Sequence, residues 1–271
     1  MVTSELSIES NRHLLFLLPG QSLSSTAFWN FKLPDGKTHA EYFLEAGIDV
    51  VMFDPAGYGT SPEFFNYDRV EYANQIELMI NAIEVDKLYQ TKTIVGFSTS
   101  TAPALIAAER GLFDKVIIHS PSIRNDKKYY VKHEEEFHTG IEKLKKERLE
   151  KISDKLIPKP NRINDWENRI LEVVGKDTWK VPAQVVYDIN NYWVDHGSNG
   201  FDPDKITADI LILRGEFDYE CTTGGYDTFK KLFPTCQERI IPDSTHFSMW
   251  ENSCSITRLE MINFVVSMQQ Y

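Results

Sequence analysis

The sequence predicts an α/β protein: a mostly parallel sheet with helices on both faces and one helical excursion lying over the sheet edge. Three observations predict it. Short apolar runs alternate with helix-like segments from Leu14 to His119, and the same rhythm returns at Asp209. The runs are apolar on both faces, the pattern of strands covered from both sides in a parallel sheet. Between these stretches the alternation stops after Pro121 and the composition turns to dense mixed charge.

Taken in order, the first strand is the apolar run Leu14 to Leu18, ended by the turn Pro19-Gly20. Thr38 to Ala46 reads as a helix, Asp49 to Phe53 as a strand, and Val70 to Ile83 as a second helix. Thr93 to Phe97 is a strand leading through Ser98-Thr99-Ser100 into a helix over Thr101 to Glu109, and Val116 to His119 is the next strand. From Arg124 to about Ile206, Ile141, Leu144, Arg148, Ile152 and Leu156 approximate a narrow apolar helical stripe with most of the circumference wet. The alternating charges of Glu142 to Glu150 there support helix and solubility. Strands resume at Asp209 to Leu213 and Glu238 to Ile241, and a last helix covers Ser255 to Met268. The expected organisation is a core in two parts, 1–123 and 207–271, interrupted by a helical insertion over 124–206.

Composition narrows the partners. A chain of 271 residues with a net charge of -11 repels nucleic-acid backbones and anionic membranes, and leaves neutral, apolar or cationic small molecules open. Cys221, Cys236 and Cys254 are an odd set without CxxC spacing, so neither a disulfide framework nor a structural zinc site is suggested. The longest apolar stretch near the start is too short for a membrane span and carries no signal-peptide pattern, so a cytoplasmic location is expected. Neither a cofactor nor a metal is called for. Oligomeric state is left open.

The chemistry points to Gly96-Phe97-Ser98-Thr99-Ser100. Strand, sharp turn with a serine at its tip, then helix is the setting of a nucleophile, and small residues two positions either side let strand and helix approach. A serine hydroxyl needs a base, and the base needs a partner that fixes its tautomer. Asp218 follows the strand Leu211-Ile212-Leu213, and His246 follows Arg239-Ile240-Ile241. Functional groups of open parallel sheets collect beyond the carboxyl ends of strands, and all three residues fall there in the order Ser, Asp, His. Each has a bland reading: Asp218 could cap a helix near Glu220, and His246 could be a loop histidine. Asp243 and Glu216 are the nearest competitors for the acid position. Oxyanion donors are expected from the backbone N–H of Thr99 and of Gln21, the latter in the turn after the first strand. The second glycine-bearing turn, Asp54 to Ser61, departs from GxGxxG spacing and lacks a Walker lysine, so it is read as a structural turn beside the active-site entrance.

With these residues in place the chain resembles the alpha/beta-hydrolase superfamily over Leu14 to Ser122 and Ala208 to Met268. Pro19-Gly20-Gln21 matches its His-Gly-X turn, Asp54 through Ser61 its Asp-X-X-Gly-X-Gly-X-Ser turn, Gly96 through Ser100 its nucleophile elbow, Gly215 through Asp218 its acid loop, and His246-Phe247 its base. The resemblance implies an eight-stranded, mostly parallel sheet, a lid after the sixth strand and chemistry through an acyl-serine. Pro19 stands where the family has histidine, which removes a bracing side chain but keeps the backbone donor, and Ser100 stands where it has the second elbow glycine. Only a dozen residues precede the first strand, so the leading antiparallel hairpin is expected to be reduced or absent and the sheet nearer six strands than eight.

Trp166, Trp179, Tyr187, Tyr192 and Trp193 of the insertion either close an apolar chamber over the serine or form the lid's own core. Tyr192 and Trp193 are favoured for the pocket and Trp166 for the core. Phe28 and Trp29 are further candidates for pocket or core and are carried with Tyr192 and Trp193 as expected substrate-binding residues. The expected function is hydrolysis of an ester or thioester of a moderately apolar small molecule. Carbon-carbon bond hydrolysis, lactone or amino-terminal peptide hydrolysis, acyl transfer or cyclisation, and a non-catalytic small-molecule receptor are the alternatives on the same scaffold.

Overall fold

The computed structural model describes residues 12–20, 24–59, 61–62, 68–83, 89–121, 162–164, 200–218 and 225–267. Six strands run through them: β1 (His13–Leu17), β2 (Ile48–Met52), β3 (Thr91–Phe97), β4 (Lys115–His119), β5 (Asp209–Gly215) and β6 (Gln237–Ile241). They form one sheet in the order β2-β1-β3-β4-β5-β6, and every adjacent pair is parallel. The expected parallel α/β architecture is thus present. The expected reduction of the leading hairpin falls on residues outside those described.

Because side chains alternate across a strand, β1 to β5 each feed two apolar layers, while β6, at the sheet edge, buries Ile241 alone. Leu14, Phe16, Ile94, Val116, Ile118, Ile210 and Ile212 face one, where they meet α3 (Arg69–Ala82), α4 (Thr101–Glu109) and α5 (Gly225–Leu232) through residues such as Tyr72, Ile76, Leu105 and Phe229. Leu15, Leu17, Val95, Phe97, Ile117, Leu211 and Leu213 face the other, against α1 (Ser25–Trp29), α2 (His39–Glu45) and α6 (Cys254–Val266) through Phe28, Trp29, Phe43, Met261 and Phe264. Two-sided burial explains why β1, β3, β4 and β5 read as apolar runs, and the exposed edge explains why β6 begins Gln237-Glu238-Arg239.

Local chemistry sets the helix ends. Thr38 and Glu41 close a reciprocal capping box at the start of α2, and Asp68 accepts from the Glu71 N–H at 2.8 Å to start α3. At the far end of α6, the fully buried Lys115 donates from Nζ to the carbonyls of Phe264 at 2.8 Å and Val265 at 3.0 Å. That cation satisfies last-turn carbonyls that have no partner within the helix and ties α6 to β4.

Of the span 124–206, residues 162–164 and 200–206 are described. Ile163 is buried in the layer of α6, and Phe201 in the layer of α5, stacked on Phe233 with centroids 6.0 Å apart. Trp166, Trp179, Tyr187, Tyr192 and Trp193 lie outside the described residues.

Candidate active site

The turn after β3 is built around a strained serine. Ser98 has φ 54, a left-handed conformation that costs a non-glycine residue roughly 1–3 kcal/mol. It opens a single 3-10 turn, Ser98–Ser100, that runs directly into α4. Gly96 is needed beneath it: a Cβ there would lie 2.8 Å from the Ser100 carbonyl oxygen and 2.9 Å from the Ala104 Cβ, so any side chain would force β3 and α4 apart. Ser100 does more than fit. Its Oγ accepts from the Phe97 N–H at 3.0 Å and donates to the Phe97 carbonyl at 2.9 Å, so one buried hydroxyl closes the elbow from inside.

The loops after β5 and β6 deliver the other two groups. The Phe217 N–H donates to the Ser244 carbonyl at 2.8 Å and the Glu216 N–H to that of Ile241 at 2.9 Å, which binds the two loops side by side. Asp218 has no exposed surface, and its carboxylate oxygens stand 3.0 and 3.1 Å from His246 Nδ1. A carboxylate only accepts, so it holds the imidazole proton on Nδ1 and leaves Nε2 as an acceptor. That Nε2 is 3.0 Å from Ser98 Oγ. The competitors for the acid position lie at the surface: Glu216 and Asp243 are exposed, and the Glu216 carboxylate accepts from the Asp243 N–H at 3.1 Å.

The turn after β1 comes up against Ser98. A Cβ on Gly20 would sit 2.4 Å from the Phe97 ring and 3.5 Å from the Ser98 Cβ, so the glycine permits this approach of backbone to Ser98. Gln21, which follows, lies outside the described residues. Thr99 is directly after Ser98 in the first turn, where N–H groups have no intrahelical acceptor. The Asp54 carboxylate accepts from the Ser25 N–H at the start of α1, and the Ser61 hydroxyl donates to the Asp54 carbonyl at 2.7 Å. The second glycine-bearing turn therefore braces the helix that follows the Gly20 turn.

Phe28 and Trp29 require a correction. Neither has exposed surface; Phe28 stacks on Phe97 at 4.4 Å and lies 5.0 Å from Trp250, while the Trp29 indole N–H donates to the Leu18 carbonyl at 3.1 Å. They are core aromatics beneath the elbow, placed there because the short helix α1 turns its apolar face onto the sheet. Tyr192 and Trp193 lie outside the described residues.

Two buried titratable groups near Ser98, His246 and Asp218 escape sequence reasoning. His119 ends β4 with its ring 5.0 Å from that of Phe97 and its Nε2 2.9 Å from Ser248 Oγ. Burial, reinforced by the positive charge His246 can carry, pushes its pKa down to about 3 and keeps it neutral. Glu251 is fully buried, and burial lifts its carboxyl to about 7. An acid directly after the largely apolar stretch Phe247-Ser248-Met249-Trp250 is the signal that could have found it. Among the described residues no group of His, Cys, Asp and Glu is arranged to hold a metal, and no helix is long and apolar enough to cross a membrane.

No family model matches the sequence, and no curated protein matches it. Solved structures do resemble it. An esterase (EaEST) from Exiguobacterium antarcticum is similar at 18% identity and a TM-score of 0.70, with 94% of this chain and 92% of that chain covered. MenH from S. aureus is similar at 17% identity and a TM-score of 0.67, with 96% of each chain covered. An E-2-(acetamidomethylene)succinate hydrolase is similar at 15% identity and a TM-score of 0.67, with 94% and 92% covered. The chain has the alpha/beta-hydrolase fold.

Proposed function

We propose that the chain is a serine hydrolase acting on an ester or thioester of a moderately apolar small molecule. The observation that carries this reading is the relay in which Ser98 Oγ, His246 and Asp218 are joined by contacts of 3.0 Å each, with the serine held in a strained turn. Such a relay makes a hydroxyl nucleophilic at neutral pH. His246 Nε2 takes the Ser98 proton as Oγ bonds to the acyl carbon, and the Asp218 carboxylate stabilises the imidazolium. The oxyanion is received by the N–H groups of Thr99 and Gln21. Collapse breaks the bond to the alkoxide or thiolate, which takes the proton from His246. Water then attacks the acyl-serine with His246 again as base, releasing the acid and restoring Ser98.

Two of the similar structures are themselves an esterase and a hydrolase. Tyr192 and Trp193 are proposed as the aromatics that select the acyl chain.

The test is a panel of aryl and alkyl esters, acyl thioesters, lactones, amino-acid amides and vinylogous diketones, assayed with and without a chelator. Ester or thioester turnover is expected to survive chelation and to vanish in Ser98→Ala. Preference for another class on the panel overturns the substrate assignment and keeps the relay, and silence across the panel favours a transferase or a receptor.

A further inference from the structure

We infer that Glu251 is a positioning residue for the base: its carboxyl holds Thr245 by main chain and side chain together and so fixes the imidazole of His246 between Asp218 and Ser98. The inference rests on the triad reading above.

The loop after β6 has three anchors. Ser244 is held by its own hydroxyl, which donates to the Ile241 carbonyl at 2.9 Å, and by the Phe217 N–H. Phe247 is held through its carbonyl, which accepts from the Trp250 N–H at 2.7 Å. Between them stand only Thr245 and His246. Thr245 donates its N–H to Glu251 Oε2 at 2.9 Å and its hydroxyl to Glu251 Oε1. With one acceptor oxygen on each donor, the carboxyl sets both the peptide plane and the side-chain direction of the residue preceding the base.

Glu251 is itself immobilised. Its carbonyl accepts from the Cys254 N–H at 2.9 Å at the start of α6, and its backbone bridges that of Arg162 in antiparallel fashion. It has no exposed surface. Burying a carboxyl costs several kcal/mol unless donors meet it, so a residue that merely filled this space would be apolar. Burial and the negative charge of Asp218 push the carboxyl pKa up, while the two Thr245 bonds and the positive charge available on His246 oppose them. The Thr245 hydroxyl suits either form, since it can donate to the carboxylate or accept from the acid.

The test compares the full-length wild type with Glu251→Gln, Glu251→Ala and Thr245→Val. The first readout is the downfield proton resonance of the His246 Nδ1–H shared with Asp218, assigned by its loss in Asp218→Asn. The second is the rate at which a fluorophosphonate labels Ser98, and melting temperature is recorded alongside. Glu251→Ala is expected to broaden the resonance into exchange with water and to slow labelling by about 10- to 100-fold, the scale on which supporting residues around a reactive group act. Glu251→Gln, which keeps an acceptor and a polar partner for Thr245, restores most of the rate, and Thr245→Val falls between. Loss of melting temperature alone in Glu251→Ala, with resonance and labelling unchanged, overturns the inference. So does a Glu251→Gln protein no better than Glu251→Ala. Where Glu251→Ala does not fold, a wild-type resonance and rate in Thr245→Val overturn it instead. The resonance needs no turnover, so a wild type inactive on every ester contradicts the hydrolase reading while this inference is still decided.

Discussion

Replacing Ser100 with alanine removes a hydroxyl that both accepts from and donates to the backbone of Phe97, the residue before Ser98. Two costs follow. The bond to the Phe97 carbonyl is worth about 1 kcal/mol net, and the Phe97 N–H, left buried without an acceptor, adds about 1–3 kcal/mol. The sum is about 3 kcal/mol, which for a chain of this size lowers the melting temperature by roughly 6 °C or more. The φ of 54 at Ser98 is sustained by this closure, so fluorophosphonate labelling should slow as well. Thermal unfolding followed by circular dichroism, with labelling rates at a temperature where both proteins are folded, measures the two effects. Ser100→Gly should lose the same bonds and likewise fall below the wild type. A Ser100→Ala protein that melts with the wild type and labels at its rate refutes the reasoning.

Replacing Asp218 with asparagine keeps the shape but frees the imidazole to adopt the wrong tautomer, so kcat should fall on the order of 10⁴-fold in ester turnover, the scale known for loss of an orienting aspartate. A near-normal Asp218→Asn enzyme would return the acid role to Glu216 or Asp243. Glu251 gives a pH prediction with a definite sign. Its carboxyl is raised from 4.5 to about 7, so its contribution to stability is fully present below about pH 4.5 and is lost as the pH rises through 7. At about 1.4 kcal/mol per pH unit, Glu251→Gln should gain about 2–3 kcal/mol on the wild type between pH 5 and pH 8 in urea unfolding. A difference that stays constant with pH contradicts the raised carboxyl.

The parallel sheet was legible because two-sided burial leaves a run of apolar residues in its central strands; Ser98 and Asp218 stand just past such runs, and His246 follows the shorter apolar end of β6, Ile240-Ile241. Phe28 and Trp29 were ambiguous for a physical reason. An aromatic after a turn has the same sequence signature whether it lines a pocket or fills the core, and the short helix α1, too brief to show a period, decides for the core. Ser100 read as a tolerated departure from glycine because its value lies in a hydroxyl direction that only the folded turn defines. Lys115 and Glu251 were missed alike: each is one charge at the margin of an apolar stretch, and their partners, the end of α6 and the Thr245 loop, are brought to them by tertiary packing.

The measurement closest to the central claim is the site of covalent labelling. A fluorophosphonate should add one adduct to the full-length protein, mapped by peptide mass spectrometry to Ser98, and labelling should be lost in Ser98→Ala and strongly slowed in His246→Ala. An adduct on another residue, or undiminished labelling and turnover in Ser98→Ala, would contradict the account.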